Sequence, residues 1–185
     1  CCCERFFLPD KEDLVEHEKS CFPLCSIETG TPLAEFDLIA LSISFENDYL
    51  NLPKILELGQ VPLFSEQRTV RDPLVLFGGV CAFLNPEPLA EIADFVAVGE
   101  AEPILPVFIP VLKEFLDAQD GNLERFDNLP GIYLPAKVHV QYLEDGCVAQ
   151  TSISPVSRVY LENLDDSASR SFILNKEIEF GDMAL

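Results

Sequence analysis

The chain has no tryptophan, and its 185 residues include one methionine and two histidines. Cations are scarce as well: 12 lysines and arginines stand against 32 aspartates and glutamates, a formal net charge of −20. A surface this negative repels other polyanions, which excludes nucleic acid and anionic lipid as ligands of these residues. No apolar run reaches the roughly 18 residues of a membrane span, and no basic-then-apolar leader opens the chain. The expectation is a cytoplasmic protein that makes no membrane contact.

Catalytic and metal motifs are missing too. There is no GxGxxG and no Walker loop, so nothing cradles a nucleoside triphosphate. His17, in Glu16-His-Glu-Lys19, reads as a solvated helix residue. His139 alternates with apolar neighbours on one face of a strand. Neither stands beside a serine or cysteine nucleophile in a recognisable motif, so no catalytic residue is assigned. Seven cysteines, an odd number at irregular spacing, disfavour a disulfide scaffold. Cys21 and Cys25 have a CxxxC spacing without the third and fourth ligands that zinc or an iron–sulfur cluster needs, and Cys1 to Cys3 read as a frayed end. No metal site is assigned.

At 48% hydrophobic residues, the chain can bury a core as one domain with or without an appendage. Its start at Cys1 and its end at Phe180-Gly-Asp-Met-Ala-Leu185 lead us to expect a piece excised from something longer. Arg5–Leu8 is a possible short strand, and Asp10–Lys19 a charged, exposed helix anchored by Leu14. A loop over Ser20–Thr31 follows. Phe36–Ile43 is a continuous apolar run of strand length, expected to be buried on both faces. Helical spacing of Leu52, Ile55, Leu56 and Leu58 predicts a helix within Asn47–Leu58, with Pro53 in its first turn and Gly59 as the terminating glycine. Pro73–Phe77 is the next buried strand. Asn85 or Glu87 then opens a helix through Ile92, and Phe95–Val98 is a third strand.

Glu102–Leu116 has an amphipathic pattern but carries Pro103, Pro106 and Pro110, which predicts a bent or late-starting helix. Beyond Gly121 the style changes. Lys137–Leu143 reads as a half-buried strand, Glu144-Asp-Gly146 as a hairpin turn and Cys147–Ile153 as the return strand. A polar link at Asp165–Arg170 and a strand-like run at Ser171–Phe180 complete it. The fold class is therefore α/β: a parallel sheet over residues 1–122 with a β-rich extension over 123–185.

In such a fold the loops after successive strands converge at the carboxyl edge, where ligands bind. Here they are Ser42-Ile-Ser-Phe-Glu-Asn-Asp48, Gly78-Gly-Val-Cys-Ala-Phe83 and Gly99-Glu-Ala-Glu102. They supply hydroxyls (Ser42, Ser44), two phenylalanines (Phe45, Phe83), glycines and carboxylates, and no cation. A glycine pair flanked by Phe45 and Phe83 suits a broad, flat ligand lying on backbone; equally, Gly78 and Gly79 simply make the turn. Glu100 and Glu102 suit a metal or substrate contact, or the positive end of a helix dipole.

The run Gly78-Gly-Val-Cys-Ala-Phe-Leu-Asn-Pro-Glu-Pro-Leu89 followed by Asp94-Phe-Val-Ala-Val-Gly-Glu-Ala-Glu102 resembles the N-terminal domain of radical S-adenosylmethionine (radical SAM) proteins of the cobalamin-binding type. Phe36-Asp-Leu-Ile-Ala-Leu-Ser-Ile-Ser-Phe-Glu-Asn-Asp-Tyr49 is similar to the strand and loop that precede it in one branch of that family. The resemblance covers about Phe36 to Phe115. It implies a flavodoxin-type, Rossmann-like fold whose carboxyl edge faces cobalamin (vitamin B12). Ser42 and Ser44 would match the serine-bearing loop, Gly78 and Gly79 the backbone beside the cofactor's nucleotide tail, and Gly99 to Glu102 the last loop. It further implies that the tail leads to a catalytic barrel of the same polypeptide, whose CxxxCxxC would hold a [4Fe-4S] cluster and S-adenosylmethionine. Within these residues both that triplet and the cobalamin-ligand motif DxHxxG are absent. Two functions follow as expectations: an accessory domain that covers the barrel mouth and holds cobalamin if competent, or a cofactor-free interaction module for a basic partner. A stand-alone flavodoxin-like enzyme ranks below both, and the sequence leaves the oligomeric state open.

Overall fold

In the computed structural model of the chain, residues 2–152 and 155–163 are described. The expected polar link and last strand, at 165–180, lie outside them. The elements run in the order α1 (Lys11–Ser20), β1 (Leu38–Ser42), α2 (Leu52–Leu58), β2 (Leu74–Gly78), α3 (Val80–Leu84), β3 (Phe95–Ala97), α4 (Ala101–Ala118), β4 (Ile132–Tyr133), β5 (Val140–Tyr142) and β6 (Val148–Thr151). The main sheet has the order β1-β2-β3-β4. Its first three strands are parallel, with Leu38 opposite Leu74 and Leu76 opposite Phe95, and β4 closes the far side antiparallel to β3. The architecture is the expected α/β, Rossmann-like one with a small antiparallel extension.

Period-two alternation divides the strands between two cores. Val75, Phe77 and Val96 join Leu52 and Leu56 of α2 on one face. Leu74, Leu76 and Phe95 join Ile104, Phe108 and Leu112 of α4 on the other. On that second face Phe95, Phe108 and Phe126 pack ring against ring, with centroids 4.5 to 5.6 Å apart. Phe126 and β4 both lie beyond Gly121, so the sheet draws its last strand from the region where the sequence changes style.

α1 is built as its sequence suggests. Asp10 caps it, accepting hydrogen bonds at 3.0 Å from the N–H groups of Glu12 and Asp13. α4 departs from expectation: it runs unbroken through Pro106 and Pro110 from Ala101. Apolar residues at Ile104, Phe108 and Leu112 hold it to the sheet, which outweighs the backbone bonds the prolines remove.

Several further expectations are corrected. Arg5–Leu8 forms no strand; the segment is tied down by Arg5, whose Nε lies 2.6 Å from Glu28 Oε1. β1 is an edge strand rather than one buried on both faces, because α4 covers its neighbours and leaves Ala40 and Ser42 exposed. Gly59 is not the left-handed terminator of α2. Its φ is −75°, and the positive φ of 57° falls on Gln60. Gly59 is needed for space, since a Cβ there would sit 2.4 Å from Leu33 Cδ2. No α-helix opens at Asn85 or Glu87: Glu87–Leu89 forms only a 3₁₀ turn, and the short α-helix of this region, Val80–Leu84, lies upstream, directly after Gly79. His17 is half-buried, with Nδ1 3.1 Å from the Phe22 carbonyl, rather than solvated. The β5–β6 hairpin has its expected turn, but Tyr142, Leu143 and Val148 are exposed rather than half-buried.

A buried ion pair fastens the amino edge of the sheet. The side chains of Arg68 and Asp94 are only 3% and 13% exposed. Arg68 Nε donates to Asp94 Oδ2 at 3.2 Å, its Nη1 donates to the carbonyls of Pro62 and Leu63 at 3.0 and 3.1 Å, and its Nη2 donates to the Ile92 carbonyl. Asp94 Oδ2 also accepts the Val75 N–H at 2.7 Å. Burial pushes the Asp94 carboxyl up, and the Arg68 charge pulls it back. Removing one partner strands the other in the interior. Arg68→Met should therefore cost about 3–5 kcal/mol in urea unfolding, with Arg68→Lys recovering only part because an ammonium cannot span these acceptors. Glu57→Ala, at an exposed i,i+3 pair with Lys54, should change stability by less than about 1 kcal/mol.

Candidate functional site at the carboxyl edge

Parallel pairing of β1, β2 and β3 brings their three following loops to one edge, as expected. The first two loops interlock through backbone. Ile43 N–H donates to the Gly78 carbonyl at 2.8 Å, and the Ile43 carbonyl accepts from Cys81 N–H at 3.1 Å. That interlock dictates Gly79: its φ is +91°, and a Cβ would lie 2.5 Å from the Ile43 carbonyl oxygen. Gly78 is not so constrained, since a Cβ there would meet only Ala97 Cβ, at 3.7 Å. The pair thus splits into one residue fixed by sterics and one half-exposed.

Around this interlock the first loop points outward. Ser42 and Ser44 are exposed, and Phe45 is 70% exposed. Asp48 steadies the loop, its Oδ2 accepting the Phe45 N–H at 3.4 Å. Cys81 lies beneath, and burial, with smaller contributions from Glu46 and Asp48, pushes its thiol pKa up. A thiol held in that form is not a poised nucleophile.

The third loop is occupied by the chain itself. Residues 155–161 return to the edge, where Val159 pairs with Gly99 in parallel. Val159 N–H donates to the Val98 carbonyl at 3.0 Å, and Glu100 N–H donates to the Val159 carbonyl at 2.9 Å. Gly99 has φ +138°, and a Cβ there would fall 1.9 Å from the Val159 carbonyl oxygen. Glu100 does not cap α4 with its side chain; its Oε2 accepts the Leu161 N–H at 2.6 Å. Glu102 is exposed in the first turn of that helix.

Phe83 is half-buried, with the Arg158 guanidinium 4.1 Å from its ring centroid. An edge expected to be free of cations therefore receives one from a segment about 60 residues away in sequence. Nothing local in Pro155-Val-Ser-Arg-Val-Tyr160 signals this return, so Arg158, Val159 and Leu161 were not foreseeable as part of the edge.

The three loops carry carboxylates at Glu46, Asp48, Glu100 and Glu102 and no histidine or lysine. Among the described residues no group of three or more His, Cys, Asp or Glu side chains could hold a metal. Cobalamin fits the edge poorly in this conformation. A corrinoid needs a broad open shelf, but Gly79 spends its backbone clearance on Ile43 and Gly99 spends its own on Val159. Neither histidine lies on the three loops, so none is placed there to face a corrin metal.

These constraints separate the two glycines by experiment. Gly79→Ala should destabilise the fold by about 2–5 kcal/mol, combining a disfavoured φ with backbone overlap. Gly78→Ala should stay within about 0.5 kcal/mol of the parent. Paired urea titrations of the two variants check this, and equal losses would contradict the geometry.

No curated protein and no solved structure matches the chain, and among the described residues no helix is long and apolar enough to cross a membrane. A family model described as the N-terminal part of radical SAM proteins matches residues 1–135, which span the main sheet, its helices and the three loops. The chain belongs to this family of radical SAM N-terminal domains.

Proposed function

We propose that the chain is an accessory domain that lays its carboxyl edge over the mouth of a radical SAM barrel and keeps water from the radical formed there. The supporting observation is that four of the fifteen large apolar side chains exposed among the described residues follow β1 and β2. Phe45 and Leu50 after β1 are 70% and 82% exposed, and Val80 and Leu84 after β2 are 49% and 72% exposed. Large side chains left open on neighbouring loops mark a surface meant to be covered. The family match favours the barrel as the covering body. In this reading the [4Fe-4S] cluster and S-adenosylmethionine belong to the barrel, and this domain contributes shape and exclusion of water.

Mixing this domain with its barrel, produced as a separate polypeptide, tests the reading. The two should associate, and Phe45→Asp or Leu84→Asp should weaken binding at least tenfold without changing the domain's urea midpoint. Association that ignores both substitutions, or no association at all, overturns it.

Cobalamin binding is a separate, finer reading that the occupied edge does not favour; Ser42, Ser44, Phe45, Gly78, Gly79, Phe83, Gly99, Glu100 and Glu102 are the residues it would use. With residues 155–161 against Gly99 and Arg158 on Phe83, the domain should emerge colourless from desalting after incubation with hydroxocobalamin. Retained corrin colour at one equivalent would instead assign the cofactor to this edge.

The exposed Tyr142, Leu143 and Val148 of the β5–β6 hairpin favour a second reading, a cofactor-free interaction module. With a net charge of −20 the partner would be basic, and binding would weaken as salt rises.

A further inference from the structure

Residues 155–161 make a contact that the covering role does not require. We infer that this segment is a reversible strap: it closes the carboxyl edge by strand pairing, and it lifts as a unit while the sheet beneath stays folded. On this view Gly99, Glu100 and Phe83 are the strap's receptor.

The receptor is specific. Gly99 leaves room for a strand backbone at a distance no side chain would allow, and the Val98 carbonyl and the Glu100 N–H pair with Val159. Glu100 then takes the next free donor along, Leu161 N–H, and Arg158 stacks on Phe83. These contacts fix the register of an extended segment: a one-residue slip would remove Arg158 from the ring and turn Val159 outward.

The strap is nonetheless shallowly held. Val156, Val159 and Leu161 are its half-buried apolar anchors, Val156 against one core and Val159 against the other, while Pro155, Ser157, Arg158 and Tyr160 are exposed, Tyr160 by 61%. An open surface cleft of about 200 Å³ runs alongside it, between Asn128–Ile132 and Pro155–Ser157 with Val159. A segment with most of its side chains in solvent and none fully buried opens at lower free energy than the core it covers. Lifting it would uncover Phe83 and the Gly99 backbone together, so access to the edge and release of the strap are one event.

The inference does not depend on barrel docking, and amide hydrogen exchange on the intact chain tests it alone. The amides of Val159, Leu161 and Glu100 should be protected, yet exchange at least tenfold faster than that of Phe77 in β2, with little dependence on added urea. Arg158→Ala should speed exchange at Val159 about two- to fivefold and Glu100→Ala about tenfold, both leaving Phe77 unchanged. Arg158 is exposed on the strap, so its loss cannot damage the core. Strap amides with no protection would mean the segment is not docked. Strap amides that exchange only together with Phe77, with the same urea dependence, would mean it is a fixed part of the fold. Either result overturns the proposal.

Discussion

The carboxyl edge of this domain is organised by backbone approaching backbone. At Gly79 the chain passes so near Ile43 that a Cβ would stand 2.5 Å from its carbonyl oxygen, and at Gly99 the overlap with Val159 would be closer still, at 1.9 Å. Each glycine gives up its side-chain volume to a neighbouring strand or loop. The first approach locks the tip of β1 onto the tip of β2. The second brings a distant segment onto the tip of β3. The geometry of the edge, and what can reach it, follow from these two near contacts.

The two ends of the sheet are built on different physics. At the amino edge a buried guanidinium reaches a carboxylate and three carbonyls, joining the loop before β2 to the turn before β3. Such a pair is costly to bury and costlier to break, so it fixes position firmly. Charge plays a smaller part at the carboxyl edge: Arg158 over Phe83 and a single carboxylate on Leu161 N–H, each partly open to solvent. The apolar side chains left uncovered there, Phe45 and Leu84 most of all, give that edge its direction.

The family match and the geometry bear on different questions. Matching residues 1–135 establishes kinship with radical SAM N-terminal domains and is silent on whether a corrinoid is held. The geometry bears on that second question through occupancy: the backbone at Gly79 is engaged by Ile43, and that at Gly99 by Val159.

The sequence by itself determined the local structure. Asp10 announced α1, the apolar runs at Pro73–Phe77 and Phe95–Val98 announced β2 and β3, and Glu144-Asp-Gly146 announced the hairpin, because capping, strand burial and turn formation are decided within a few residues. Asn85-Pro-Glu-Pro88 misled for the same reason: it has the local features of a helix start but makes only a 3₁₀ turn, while the α-helix at Val80–Leu84 depends on Gly79 turning against Ile43. Tertiary structure alone decided that β1 lies at an edge, that Gly59 yields to Leu33, that α4 survives its prolines, and that residues 155–161 cross back to Gly99. Those outcomes depend on surfaces brought together across tens of residues. No short-range pattern encodes such a meeting, because its free energy exists only once both surfaces are in place.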